Sequence, residues 1–237
     1  MKYRVVLFGL VFLMFSCSED ENKQEELSEE QLQFIREYEY VTFNFSPTSF
    51  GGSINEKWVG EIPIFLDGNI TQEYEGIIQG ELSRLNNYFT DGSELVLVGS
   101  MEQAQIHLYL GSEEDIQGLW PDMYPFISAG QFQGYALYNS GAGQIVNGRI
   151  WVKNSGMPIF RHELGHILGF GHASNRYCDN SGLEARSYMC SSLAQEYSSF
   201  DRAMIKTLYH PDIQPGLTFE ALRPQVERLL LSGEIQF

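Results

Sequence analysis

One twelve-residue run, Arg161-His162-Glu163-Leu164-Gly165-His166-Ile167-Leu168-Gly169-Phe170-Gly171-His172, constrains this chain more than any other stretch. Pro158, just ahead of it, suits the first turn of a helix, where its missing N–H leaves no intrahelical bond unmade. On that helix His162 and His166 stand four apart and share one face. Two imidazoles at this spacing can bind one zinc ion. Phe160, Leu164, Ile167 and Leu168 supply the apolar stripe that buries the helix. A helix carried past Leu168 would rotate His172 away from that face. Gly169 accepts positive φ at low cost, so the chain can turn there and return His172 as a third ligand. Three protein ligands leave one position open, which distinguishes a catalytic zinc from a structural one. Glu163 neighbours the first ligand but points about 100° round the helix from it, so it reaches the reacting water rather than the ion. Three of the five histidines of the chain fall in this run. The plainer alternative, satisfied core histidines on an ordinary helix, accounts for neither Gly169 nor His172. His107 reads as a polar strand residue and His210, before Pro211, as a surface one.

The balance of charge narrows the partners. Fifteen Lys and Arg against 31 Asp and Glu give a net charge of −16, which leaves nothing to neutralise nucleic-acid phosphates. It also provides no basic patch for anionic lipid. With 43% hydrophobic and 19% charged residues over 237 positions, the chain has the makings of one sizeable domain, or two small lobes around a cleft.

The N-terminus reads as a targeting segment. Lys2 and Arg4 precede an apolar run from Val5 to Phe15, short for a membrane span and suited to a signal-peptide core. Ser16-Cys17 resembles a bacterial lipobox, although Met14 and Phe15 depart from its usual residues. The acidic stretch Ser18-Glu19-Asp20-Glu21 that follows resembles the surface-export signal of Bacteroidetes lipoproteins. A lipid on Cys17 would hold the protein at a membrane with no spanning helix, and the location implied is the bacterial cell envelope, exposed at the outer-membrane surface. Plain secretion is the alternative. The remaining cysteines, Cys178 and Cys190, are an even pair in an exported chain, which points to a disulfide; two free buried thiols are the other possibility.

Along the chain, residues 18 to 27 read as a tether. Ser28 to Val41 reads as a short helix, with Ser28 and Gln31 placed for a capping box. Residues 46 to 53 read as a loop. A strand over 58–66 closes in Asp67-Gly68-Asn69, and Thr71 caps a helix reaching about Phe89. Strands follow at 95–98 and 104–110. In the latter, Ile106, Leu108 and Leu110 alternate with Gln105, His107 and Tyr109, the pattern of a half-buried strand. Residues 111 to 134 read as irregular, and 135–138 and 144–152 as further strands. The order implies an α+β fold with a twisted sheet.

The run from His162 to His172 resembles the signature of the metzincin clan of metallopeptidases. Ser187-Tyr188-Met189-Cys190 looks like that clan's tight turn beneath the metal, which makes Met189 the matching residue. Tyr197 to Arg202 and Leu208 to Pro211 also resemble a group of bacterial metzincins of unassigned function, and Ser199 to Tyr209 looks like the late helix, with Ser199 as its cap. These motifs cover residues 149 to 217. The resemblance implies a twisted mixed sheet and active-site helix in an upper lobe over a small, mostly irregular and helical lower lobe. It divides the chain into a signal peptide at 1–16, a lipid-anchored tether and short helix at 17–49, and a zinc metallopeptidase domain at 50–237. It further implies one catalytic zinc on His162, His166 and His172, Glu163 as general base, and a protein or peptide substrate. Ser191 stands where astacin-like members carry a tyrosine ligand, so no fifth protein ligand is assigned. Tyr188 and Tyr197 read as wall aromatics or as neighbours of the metal. Residues 150–153 read as the edge strand that pairs with substrate or as an ordinary inner strand. The activity implied is zinc-dependent endopeptidase. Two alternatives stand beside it: a surface lipoprotein that binds zinc or a partner without catalysis, and a narrow aminopeptidase or hydrolase on the same scaffold.

Overall fold

Five strands make one sheet in the order β2-β1-β3-β5-β4, from β1 (Glu61–Gly68), β2 (Glu94–Leu97), β3 (Ile106–Leu110), β4 (Gly134–Gly141) and β5 (Gln144–Val152). The computed structural model describes residues 26–43, 53–130, 132–178 and 186–237. The signal segment, Cys17, the acidic run after it and most of the loop at 46–53 lie outside the described residues. Strands β2, β1, β3 and β5 run parallel, and β4 alone is antiparallel. Parallel neighbours need crossovers, and α2 (Gln72–Asn86) supplies the one between β1 and β2. Thr71 caps α2 by accepting from Tyr74 N–H at 3.1 Å. The antiparallel pair needs only a two-residue turn. Ala142 and Gly143 make it with φ of 51° and 83°, the signs a tight hairpin turn demands.

Both faces of the sheet are covered across β3, β5 and β4. One face carries Ile62, Ile64, Ile106, Leu108, Ile150 and Val152 into the main core. Over it packs α5 (Met157–Ile167), which bears the histidine run. The other face is covered by two short helices, α3 (Glu113–Leu119) and α4 (Tyr124–Gly130), in the stretch that the sequence marked as irregular. Each is one to two turns long, below the length at which helical periodicity is legible. Ile116, Trp120, Met123 and Ile127 of this segment close over Trp151. Strand β3 is therefore buried on both sides and not half-buried, and His107 is 9% exposed, held by Asp67 at 3.0 Å and edge-on to Trp120.

Residues 150–153 do not form the sheet edge. Strand β5 pairs with β3 on one side and β4 on the other, so the edge next to α5 belongs to β4. The chain goes on through α6 (Asn175–Cys178), α7 (Ser199–Leu208) and α8 (Phe219–Leu231). Ser198, one residue earlier than expected, caps α7: it accepts from Asp201 N–H at 3.0 Å, and Asp201 accepts in return from Ser198 N–H at 2.8 Å. The first helix, α1 (Glu29–Phe43), opens with the capping box of Ser28 and Gln31, at 3.1 and 2.8 Å. It packs on α8 and buries Phe34, Ile35, Tyr38 and Val41 in the main core, so it is joined to the same folded body as the strands. The fold is a mixed α/β arrangement, a five-stranded, mostly parallel twisted sheet with eight α-helices among the described residues, compatible with the α+β class. Among the described residues no helix is long and apolar enough to cross a membrane.

Candidate metal centre

Helix α5 begins at Met157 with Pro158 in its first turn and lays Phe160, Leu164 and Ile167 on the sheet. That fixes the rotation of the helix and turns His162 and His166 to its other side. The helix ends where its last carbonyls meet side chains instead of further turns. Trp58 Nε1 donates to Ile167 O at 2.8 Å and the Tyr209 hydroxyl donates to Leu168 O at 3.0 Å. Gly169 then takes φ of 98°. A Cβ at that position would collide with the backbone oxygen of Glu56, so the turn needs glycine for space as well as for conformation. The chain reverses, Gly171 N–H bonds to Val41 O at 2.7 Å, and His172 arrives opposite α5.

The three imidazoles converge. His162 Nε2 lies 3.2 Å from His166 Nε2 and 3.2 Å from His172 Nε2. One ligand atom from each of the three can be chosen so that all lie within 4.8 Å of one another. The other ring nitrogens decide the tautomers. His162 Nδ1 is 2.9 Å from Tyr188 O, and His166 Nδ1 is 2.8 Å from Phe170 O. A carbonyl only accepts, so both Nδ1 atoms carry the proton and both Nε2 atoms present a lone pair. Two lone pairs 3.2 Å apart are not a hydrogen bond, and a cation between them removes the repulsion. Burial lowers the basicity of all three rings, His162 to about 4, which favours the neutral, ligating form. The donor set, three neutral imidazoles of which His162 and His166 are oriented by backbone carbonyls, fits a divalent metal of the zinc class. His162 is buried and His172 exposed, so the cluster opens to solvent on the His172 side.

Glu163 is not among the converging groups. It is 8% exposed and burial alone pushes its carboxyl up to about 8. It lies under the edge strand: a Cβ on Gly134 would come 2.8 Å from Glu163 Oε1. Gly134 thus leaves room for this carboxylate.

The turn at residues 187–190, named the Met turn for Met189, sits under the helix. A Cβ on Gly165 would collide with Met189 Sδ and come 2.6 Å from the Tyr188 ring, so Gly165 is what lets Met189 and Tyr188 approach. Tyr188 and Tyr197 are both 3% exposed and meet edge-on at 4.8 Å, which makes them wall aromatics; Tyr188 reaches the centre through its backbone carbonyl. Cys178 and Cys190 are bonded, joining α6 to the Met turn. Ala173 N–H donates to Met189 O at 3.1 Å, a second tie between the third histidine and the turn.

Three supporting residues escaped the sequence reading. Gly165 is one. Asp201 is another: at 1% exposure it accepts from Ser187 Oγ (2.6 Å), Tyr188 N–H (3.1 Å), Ser198 N–H (2.8 Å) and Ser198 Oγ (2.8 Å). It bolts the Met turn to α7, and its legible signal was the capping-box spacing of Ser198 and Asp201. Glu37 of α1 is the third, and nothing local to its sequence marks it. His107 and His210 stand apart from the cluster, each beside a carboxylate, Asp67 and Glu234. A scan against protein-family models and a search of curated proteins find no match for this chain.

Proposed function

We propose that this protein is a zinc-dependent endopeptidase of the metzincin type, with its active site at His162, His166, His172 and Glu163. The observation that carries the reading is the convergence of three imidazoles, two of them oriented by backbone carbonyls, with Glu163 one residue from the first of them yet outside the ligand set. A site that only stored metal would need no buried carboxylate there.

Zinc, when bound, polarises the scissile carbonyl and acidifies water. The chain's own residues do the rest. His162, His166 and His172 hold position through Tyr188 O, Phe170 O and the turn at Gly169. In its ionised form Glu163 takes the proton of the attacking water and passes it to the leaving amine. Strand β4 offers the docking edge. Lys153 N–H donates to Gln133 O at 2.8 Å, so by antiparallel alternation the backbone groups of Gly134 and Ala136 face away from β5. An extended peptide can add there as a further strand, with its backbone beside Glu163. That recognition reads main chain, which suits a peptide substrate.

The test is cleavage of a peptide library with and without chelator. Chelator-sensitive cleavage restored by zinc supports the reading, and a zinc-loaded protein that cuts no peptide removes it. We also propose that Cys17 carries a lipid anchor at the cell envelope, supported by the apolar run from Val5 to Phe15, Ser16 before the cysteine and the acids after it. Palmitate labelling of wild type and Cys17→Ala tests this. Equal label in both overturns it.

A further inference from the structure

Among the described residues two exposed phenylalanines meet at one tyrosine. Phe126 of α4 is 46% exposed and Phe132 is 43% exposed. Phe126 stacks on Tyr135 with ring centres 6.1 Å apart and planes at 6°, and Phe132 lies against the same ring at 5.7 Å. No other phenylalanine among the described residues is exposed to this degree. Tyr135 is the second residue of β4 and follows Gly134, whose missing Cβ leaves room for Glu163. The aromatic patch therefore adjoins the open edge one residue from the position that faces the carboxylate of the candidate site.

The pleat decides which part of a docked chain would meet it. Gly134 faces α5, against Ile159 and Glu163. Tyr135 faces the opposite side of the sheet, with α3 and α4. In a peptide paired with β4, side chains directly across from Gly134 and Ala136 fall on the α5 side. The side chain directly across from Tyr135 falls on the α4 side, beside Phe126 and Phe132.

Resting on the endopeptidase reading, we propose that Phe126, Phe132 and Tyr135 form a side-chain subsite at the β4 edge, which selects substrates with a large apolar or aromatic residue one position from the chain segment facing Glu163. The occupant is an extended peptide, because the patch continues a strand edge whose backbone groups point outward. An aromatic side chain there would cover rings that are otherwise left in water, and aromatic pairs gain beyond the area they bury.

The experiment compares two peptides that differ only at that position, Phe or Ala, identified by scanning Phe through an alanine-rich library substrate. Wild type is expected to favour Phe by at least about tenfold in kcat/KM. Phe126→Ala/Phe132→Ala should bring the ratio near one, with zinc content as in wild type. Binding of both peptides to the zinc-loaded Glu163→Gln protein gives a readout independent of turnover, and the same ratio should collapse in that background. Cleavage by wild type with no Phe preference, or a preference that survives the double substitution, overturns the subsite and leaves the endopeptidase reading standing. A zinc-loaded wild type that cuts neither peptide while Glu163→Gln still selects Phe overturns the endopeptidase reading and retains the subsite. Loss of both cleavage and selective binding removes both.

Discussion

Glu37 and Ser174 are joined twice: one carboxylate oxygen accepts from the Ser174 N–H and the other from its hydroxyl, each at 2.7 Å. Ser174 lies two residues beyond His172. His172 sits on no helix, so its position depends on what grips its loop. The grips are Gly169, the Val41 carbonyl, Met189 and this carboxylate. Glu37→Ala should weaken metal affinity about 10–100-fold, the usual worth of groups that orient ligands. Glu39→Ala, exposed on the same helix, should leave it unchanged. A competition titration with a chromogenic chelator measures both. Equal affinities in Glu37→Ala and wild type would show that α1 does not position His172.

Asp201 acts on His162 through a different route. It fixes Ser187 and Tyr188, and Tyr188 O orients His162. Removing it strands four donors in a buried place. Asp201→Ala is expected to cost more than about 2 kcal/mol in chemical denaturation, since each unmet buried group costs about 1–3 kcal/mol. Its cobalt-substituted form should show altered visible absorption, because His162 would no longer be held. An unchanged spectrum would confine Asp201 to stability.

Gly169 and Gly76 make a contrasting pair. Gly76 lies exposed in α2 with open space around its absent Cβ, so Gly76→Ala should stabilise by about 0.5–1 kcal/mol. Gly169→Ala meets both a left-handed φ and the Glu56 oxygen, and should destabilise by more than about 2 kcal/mol while releasing metal. Thermal melts and metal analysis of the two variants decide it. A stable, metal-binding Gly169→Ala would mean that the turn has another solution.

The Cys178–Cys190 bond closes a short loop, with a sequence separation of 12, between α6 and the Met turn. Replacing both residues with serine should lower stability by about 3 kcal/mol, mostly through the unfolded chain. Intact-mass analysis under alkylation should find neither thiol free before reduction. Two alkylated thiols would contradict the bond.

The centre was legible in the sequence because its determinants are local. His162, His166 and Gly169 are related by one helix and one turn, and both follow from spacing and φ preference. Ser28 with Gln31, and Thr71, were legible for the same reason, since caps act over three residues. What escaped depends on contacts distant in sequence. Glu37 reaches Ser174 across 137 positions, and nothing in α1 announces that. The sheet order put β5 inside and β4 at the edge, because pairing is set by topology and not by the composition of either strand. Two short helices replaced an expected irregular stretch, because at this length tertiary cover decides what periodicity cannot.

The central claim is that Glu163 does chemistry while the three histidines hold metal. Glu163→Gln keeps size and shape and removes the base. Zinc content, thermal midpoint and peptide turnover are measured on one preparation of each protein. One zinc per chain and similar midpoints are expected in both, with turnover lower in the variant by about 10²–10⁴-fold. Undiminished turnover in Glu163→Gln, or a fully zinc-loaded wild type no more active than the variant, would contradict it.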